Sequence, residues 1–297
     1  LLLPAGMPGR GLGLLLCVPI LFASAQRPTQ GELWFTVLDV GQGLACVVET
    51  SNHLLLYDTG PGQGDRTAAD SVIMPFLRSR GHRKIDTLIV SNGDRDHAGG
   101  VESLTQLIPI GQLLAGDPEM IEGAAQACLA GSEWYWDGVH FQILHPPASV
   151  EYQEPNNRSC VLKIESDDWT ILLPGDIEQA AEDALLSVNP QQLRSDLVVA
   201  PHHGSNSSST AEFVTAVDPQ WVLFSTGYKN SYGFPKPEVI RRWHAQGAKL
   251  LNTAQSGAIE FRLTSGEVKV QPRLYRELNQ RFWQLGDGVS GNHLRPE

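Results

Sequence analysis

The sequence predicts a layered α/β sandwich built as one domain. Short apolar runs rich in β-branched and aliphatic residues alternate with helical patterns, which argues against a helical bundle or an all-β sandwich. Five of these runs end, on their C-terminal side, in a polar or ligand-type residue, so one shared edge is expected where the strand ends converge. The 297 residues are 41% hydrophobic, enough for a full core, and show no fixed-period repeat. The expected division is a hydrophobic segment over 1–29, the domain over 30–271 and a tail over 272–297.

Taken in order, Leu33 to Leu38, Ala45 to Thr50 and His53 to Tyr57 read as strands separated by Gly and Asn turns. Asp65 to Arg80 reads as a helix, with Asp65 or Thr67 as its cap and Gly81 past its end. Asp86 to Ser91 is a strand and Val101 to Ile108 a helix. Pro118 to Leu129 is expected to be helical, because proline suits a first turn. Val139 to Leu144, Cys160 to Glu165 and Trp169 to Leu173 are strands, and Glu178 to Ser187 is an amphipathic helix. The Leu197 to Ala200 and Val222 to Ser225 strands follow, then the Pro237 to Gln246 helix and closing strands at Ala258 to Leu263 and Glu267 to Gln271.

The densest chemistry is Ser91-Asn92-Gly93-Asp94-Arg95-Asp96-His97, which follows the apolar run Thr87 to Val90. Two carboxylates and an imidazole within four residues at a strand end suit Zn²⁺, Mn²⁺ or Fe. Alone, such a stretch also fits a solvated acidic turn. The other strand ends weigh against that: Asp58-Thr59-Gly60, Gly175-Asp176, His202-His203-Gly204-Ser205 and Ser225-Thr226-Gly227.

In this order, Asp39-Val40-Gly41-Gln42-Gly43, Asp58-Thr59-Gly60, Asp94-x-Asp96-His97, Asn157-x-Ser159, Gly175-Asp176 and His202-His203-Gly204-Ser205 resemble the metallo-β-lactamase superfamily. More narrowly, they are similar to the C-terminal domain of ComEC-type competence proteins, the DNA-uptake channels of transformable bacteria. The resemblance runs from about Glu32 to about Val270. It implies an αβ/βα four-layer sandwich with a metal site at one edge of two packed sheets. It also implies ligand roles for Asp96 and His97 at one metal position, Asp94 at the other, and Asp176 as a bridge. Asp58 and Asp39 would brace the loops by hydrogen bonds. Neighbouring side chains on an extended segment point to opposite sides, so one of His202 and His203 is expected to face the metal. The other would pass a proton to a leaving group or hold a carboxylate. The metal set is therefore Asn92, Asp94, Asp96, His97, Asp176 and His202, and the catalytic set His202, His203 and Asp96, with the division between the two histidines open.

Two positions depart from the family pattern. Asn92 stands where the main motif usually begins with His, and Phe234 where Gly-His-Pro is usual. An amide oxygen is a weak ligand suited to harder cations than zinc, and Phe cannot ligate. One ion, a Mn²⁺-type oxygen-rich pair, or a weakened site recruited for binding all stay open; the cofactor is a divalent metal, Mn or Zn, and no nucleotide cofactor is expected. The resemblance implies a nuclease that degrades the DNA strand not imported, working beside the membrane channel of the same protein. Against this, 33 acidic and 22 basic residues give a net charge of −11, which repels DNA at long range. A local funnel is available in Lys229, Lys236, Arg241 and Arg242 beside Tyr228 and Tyr232. The substrate-binding candidates are Arg95, Ser205, Tyr228 and Lys229; Ser205 would either contact a phosphate or cap the next helix. Rival readings are a secreted hydrolase of a small ester or phosphodiester, and a non-catalytic DNA-binding or gating domain.

Gly11 to Ala25 is apolar and ends in Ala23-Ser24-Ala25, so it reads either as a signal-like leader or as the end of a membrane region. Both readings expect a domain on the extracytoplasmic side of the bacterial inner membrane or beyond it. Four cysteines (Cys17, Cys46, Cys128 and Cys160) show no Cys-x-x-Cys spacing, and one lies in the leader. Neither a disulfide framework nor a thiolate zinc site is expected, and they read as buried small hydrophobes.

Overall fold

The computed structural model describes residues 26–279, apart from 65, 122, 151 and 267–269. Most of the hydrophobic segment and of the tail expected from the sequence lie outside these residues. Among the described residues no helix is long and apolar enough to cross a membrane.

Two sheets pack face to face. The first has eight strands in the order Arg273–Leu274, Ile259–Leu263, Leu33–Val37, Cys46–Glu49, Leu54–Tyr57, Ile85–Val90, Ile110–Ala115 and Gln126–Ala127. Its pairing is antiparallel as far as Leu54–Tyr57 and parallel from there on. The second has seven, in the order Lys249–Asn252, Trp221–Phe224, Leu197–Val199, Thr170–Leu173, Val161–Glu165, Val139–His145 and Glu133–Trp136. Here the strands between Thr170 and Asn252 are parallel, so their C-terminal ends share one edge.

The alternation of side chains explains the four layers. Leu55, Tyr57, Ile89, Leu162, Leu173, Val199 and Leu223 point between the sheets into the central core. Leu56, Leu88 and Val90 point outward under Ile73, Leu77, Val101 and Leu104. On the other side, Leu172, Val198 and Val222 pack under Ala181, Phe213, Val239 and Trp243. Central strands buried on both faces read as continuous apolar runs, as Leu54–Tyr57 and Trp221–Phe224 do.

Several elements differ from expectation. Pro118 to Leu129 is not a helix: a 3₁₀ turn at Pro118–Met120 leads to the edge strand Gln126–Ala127. Gly123 at φ +121° is incompatible with helix, and the Cys128 amide donates to the Ala115 carbonyl, continuing the sheet. The first long helix starts late, because Arg66–Thr67 pairs with Gly62–Gln63 before a π turn at Ala69–Ile73 runs into Met74–Ser79. Of the expected strand at Glu267 to Gln271, positions 267–269 lie outside the described residues; Arg273–Leu274 supplies the edge. The cysteine expectation is corrected as well. Cys128 and Cys160 form a disulfide, with Cα atoms 5.7 Å apart, while Cys46 is buried and free as expected. An odd count was no argument against a bridge, because Cys46 is simply a core residue of its strand.

Candidate metal centre

Strand ends from both sheets meet at one edge. In the first sheet, Leu54–Tyr57 and Ile85–Val90 run parallel, so Asp58 and Ser91 emerge side by side. The Asp58 carboxylate accepts from the Ser91 amide at 2.6 Å and the Ser91 hydroxyl at 2.8 Å. It also faces His97 Nδ1 at 2.7 Å. With Nδ1 donating to a carboxylate, His97 presents Nε2 as its free ligand atom. His97 sits in the short helix Arg95–Ala98, whose backbone is tied down by Thr59: its amide and hydroxyl both donate to the His97 carbonyl.

The second sheet delivers the opposing half. Gly175, at φ +60°, follows Thr170–Leu173; a Cβ there would come within 2.8 Å of Ser91 Cβ and 3.0 Å of Ser159 Cβ. The glycine lets the two sheet edges close on each other and sets Asp176 between them. Leu197–Val199 runs into His202 and His203, and His203 Nδ1 donates to the Ser225 carbonyl at 2.8 Å. That partner fixes the free nitrogen of His203 as Nε2 too.

The two Nε2 atoms lie 3.2 Å apart. Asp176 Oδ1 is 3.1 Å from His97 Nε2, and Asp176 Oδ2 is 3.6 Å from His203 Nε2. Asp96 Oδ2 is 3.2 Å from His203 Nε2. Asp96, His97 and His203 offer ligand atoms all within 4.8 Å of one another. Two imidazole lone pairs facing at this distance repel unless a proton or cation lies between them. Metal bonds of about 2.0–2.1 Å in a tetrahedron span ligand edges of about 3.3 Å, close to the observed separations. The residues present therefore fit a divalent ion.

Electrostatics agree. Burial would lower the His97 pKa, but Asp176 and Asp58 override it and hold it well above the usual imidazole range. Burial would raise Asp176, yet His97 and His203 bring it below the usual carboxylate range. Asp96 is raised by burial and lowered more by His203 and His97. Asp94, by contrast, is raised by burial and by the neighbouring Asp96 carboxylate.

The remaining predicted residues are placed as follows. His202 and His203 are not extended: their φ values are +48° and +54°. The turn still separates them, and it is His203 that joins Asp96 and His97. His202, assigned above to the metal set, stands at the rim, with Nδ1 3.3 Å from Glu178 Oε1 and Nε2 3.8 Å from Asp176 Oδ2. Asn92 is buried, but its amide oxygen accepts from the Asp94 amide at 2.9 Å, and its nitrogen donates to Ser159 Oγ at 3.3 Å. That oxygen braces the loop through its bond to the Asp94 amide. Asp94, only partly covered, lies outside that group. Asp39 pairs with Arg276 at 2.8 Å, a structural brace. Ser205 bonds Ser207 Oγ at 3.0 Å and caps no helix; Thr210 caps Ala211–Val217. Tyr228 and Lys229 are exposed, with the ammonium 5.4 Å over the ring. Arg242 donates to the Ser208 and Ser209 carbonyls, so it belongs to the scaffold. Arg95 lines a cleft of about 600 Å³ that opens beside Asp96 and includes Gln42, Arg66, Ser71 and Tyr232.

Sequence reasoning missed Ser91, Ser159 and Glu178 as supports of the site. Ser91 was visible as the last residue of the expected strand, and Glu178 as the first acid after Gly175-Asp176.

Residues 38–225 match the model of the metallo-beta-lactamase superfamily. The chain is 38% identical over 285 residues to Competence protein ComA of Neisseria gonorrhoeae, covering 96% of this chain and 40% of that one. It is 32% identical over 261 residues to Recombination protein 2 of Haemophilus influenzae, covering 87% and 32%. The chain thus spans two fifths or less of the length of these relatives. A solved structure of CmlA, a diiron beta-hydroxylase from Streptomyces venezuelae, superposes with a TM-score of 0.50 at 11% identity, over 77% of this chain and 54% of that one.

Proposed function

The chain belongs to the metallo-β-lactamase superfamily, and from that premise we propose that it is a metal-dependent phosphodiesterase that degrades a DNA strand during uptake. The observation that carries the reading is the pair of Nε2 atoms facing each other at 3.2 Å, flanked by Asp176 and by Asp96, which also lines a cleft. Competence and recombination proteins among its relatives support DNA as the substrate.

Asp96, His97 and His203 would hold the ion, and Asp176 lies against both imidazoles. A bound divalent ion would polarise a phosphoryl oxygen and acidify water. Asp58 and the Ser225 carbonyl hold the two imidazoles in the tautomer that keeps Nε2 free. His202, at the rim and half-facing Asp176, is the group suited to pass a proton to the leaving oxygen from Nε2; Glu178 orients it through Nδ1. Two imidazoles with carboxylates suit Zn²⁺ or Mn²⁺.

The whole protein is read as a DNA-uptake channel of the bacterial inner membrane, with this domain on the extracytoplasmic side. The Cys128–Cys160 bridge supports an oxidising compartment. The loop-bracing role of Asn92 favours one ion over two and gives weight to a second reading, a DNA-binding or gating domain.

Incubating the chain with single-stranded DNA and Mn²⁺, Zn²⁺ or chelator separates these. The enzyme reading expects metal-dependent fragmentation that is lost in Asp96→Ala. Folded, metal-loaded protein that leaves the strand intact would move the assignment to binding or gating.

A further inference from the structure

The cleft beside the metal cluster receives chemically different contributions from the two sheets. The connections after Leu54–Tyr57 and Ile85–Val90 of the eight-stranded sheet bring Arg66, Thr67, Ser71 and Arg95; the loop after Trp221–Phe224 brings Tyr232; Asp96 lies among them. Arg80, Arg158, Arg262 and Arg276 each face a carboxylate. Arg66 and Arg95 have no carboxylate partner among the described residues, although the chain as a whole is acidic. Arg95 is steadied by donating to the Gly62 carbonyl at 3.1 Å, which leaves much of its guanidinium uncommitted.

Tyr232 is held in place while left open. The residue is 60% exposed, yet its ring stacks on Phe234 at 5.5 Å with an interplanar angle of 15°. Phe234 in turn sets its edge against His202 at 5.9 Å. Lys236 donates to the Tyr232 carbonyl at 2.6 Å and sits over the Phe234 ring at 5.2 Å. Phe234, which cannot serve as a ligand, thus links the rim histidine to an exposed aromatic face.

We propose that this cleft seats one nucleotide of a single DNA strand next to the phosphodiester to be cut. Arg66 and Arg95 hold a backbone phosphate, and Tyr232, backed by Phe234, takes the base by stacking. The proposal rests on the phosphodiesterase reading and adds to it a nucleotide subsite with named phosphate and base contacts. A volume of about 600 Å³ falls among pockets that hold small ligands and is ample for one nucleotide. A paired base inside a duplex offers no free face to Tyr232, whereas every unpaired base does.

The test is fluorescence anisotropy of a short fluorescein-labelled oligodeoxythymidine with the full chain, in chelator so that no turnover intervenes. Arg66→Ala with Arg95→Ala is expected to weaken binding at least tenfold and to flatten its salt dependence, by roughly 0.7 in log–log slope per arginine. Tyr232→Ala is expected to weaken it about tenfold, and Tyr232→Phe to restore it. Tyr135→Ala, an exposed ring on the far edge strand, is expected to leave binding as it was. Circular dichroism checks that each variant is folded. No binding by the unsubstituted chain, or equal binding by the arginine and tyrosine variants, would overturn the subsite. Hydrolysis of bis(p-nitrophenyl) phosphate by the unsubstituted chain, without chelator and with Mn²⁺ or Zn²⁺ added, is read in a separate assay. If it proceeds while the variants bind normally, the cleft proposal fails alone. If it is absent while the variants lose binding, the subsite stands and the hydrolase reading fails.

Discussion

At the scale of single residues, the site depends on two hydrogen bonds that no ligand list would include. Asp58 and the Ser225 carbonyl each take the Nδ1 proton of an imidazole and turn its other nitrogen inward. Asp58→Asn retains the volume but loses the carboxylate, and is expected to weaken metal binding roughly 10–100-fold, as read by competition with a chromogenic chelator. Protons should follow the metal. In the metal-free cluster His97 is held protonated well above its usual range, and Asp176 ionised below its own. The raised His97 contributes stability that is fully present below its unfolded value of about 6.5 and lost as pH rises through the higher folded one. The depressed Asp176 contributes stability present above about 3.9 and lost as pH falls through its lower folded value. Metal-free protein is therefore expected to be most stable between roughly pH 4 and 6.5. A metal replaces the His97 proton, so affinity should rise with pH and binding should release protons, visible as a buffer-dependent enthalpy in calorimetry. An enthalpy independent of the buffer's ionisation heat would contradict that picture. Asp96 and His97 were singled out as candidate ligands by the other strand ends and the family resemblance, because the stretch alone also fits a solvated acidic turn. The division between His202 and His203 was not, because it depends on two left-handed residues that a sequence of two identical side chains does not announce.

At the scale of elements, strands were read more reliably than the segments between them. Leu33–Val37, Leu54–Tyr57 and Trp221–Phe224 are apolar runs bounded by turn residues, and such patterns survive any packing. Pro118 to Leu129 carried helical composition but belongs to the sheet edge, where the Cys128–Cys160 bridge and Gly123 override local preference. The bridge closes onto the site: the Cys160 amide donates to the Ser91 carbonyl at 2.9 Å and its own carbonyl accepts from Tyr57 at 2.6 Å. Cys128→Ser with Cys160→Ser is expected to cost about 2–4 kcal/mol in denaturant unfolding. On the outer face, Trp243 is fully buried against Phe213 and donates to Ser209 Oγ. Trp243→Ala should cost about 3–5 kcal/mol by cavity formation, measured by the same unfolding curve, without touching the ligands.

At the scale of the whole molecule, the sequence predicted a layered α/β domain, and the two packed sheets with helices outside them agree with it. What remained hidden was the closure of the two sheet edges, which depends on Gly175 fitting between Ser91 and Ser159. Gly175→Ala would drive a Cβ into that contact at φ +60° and is expected to lower metal retention even though no ligand is altered. A net charge of −11 opposes a polyanion, so on the proposed reading local cations and a bound ion would have to offset it. The central claim is that Asp96, His97 and His203 together hold a divalent ion. It is tested most directly by elemental analysis of chain loaded with Zn²⁺ or Mn²⁺ and then dialysed. The account predicts about one retained ion per chain, lost in His97→Ala and in His203→Ala but kept in Asn92→Ala. Equal retention by His203→Ala, or none by the unsubstituted chain, would contradict it.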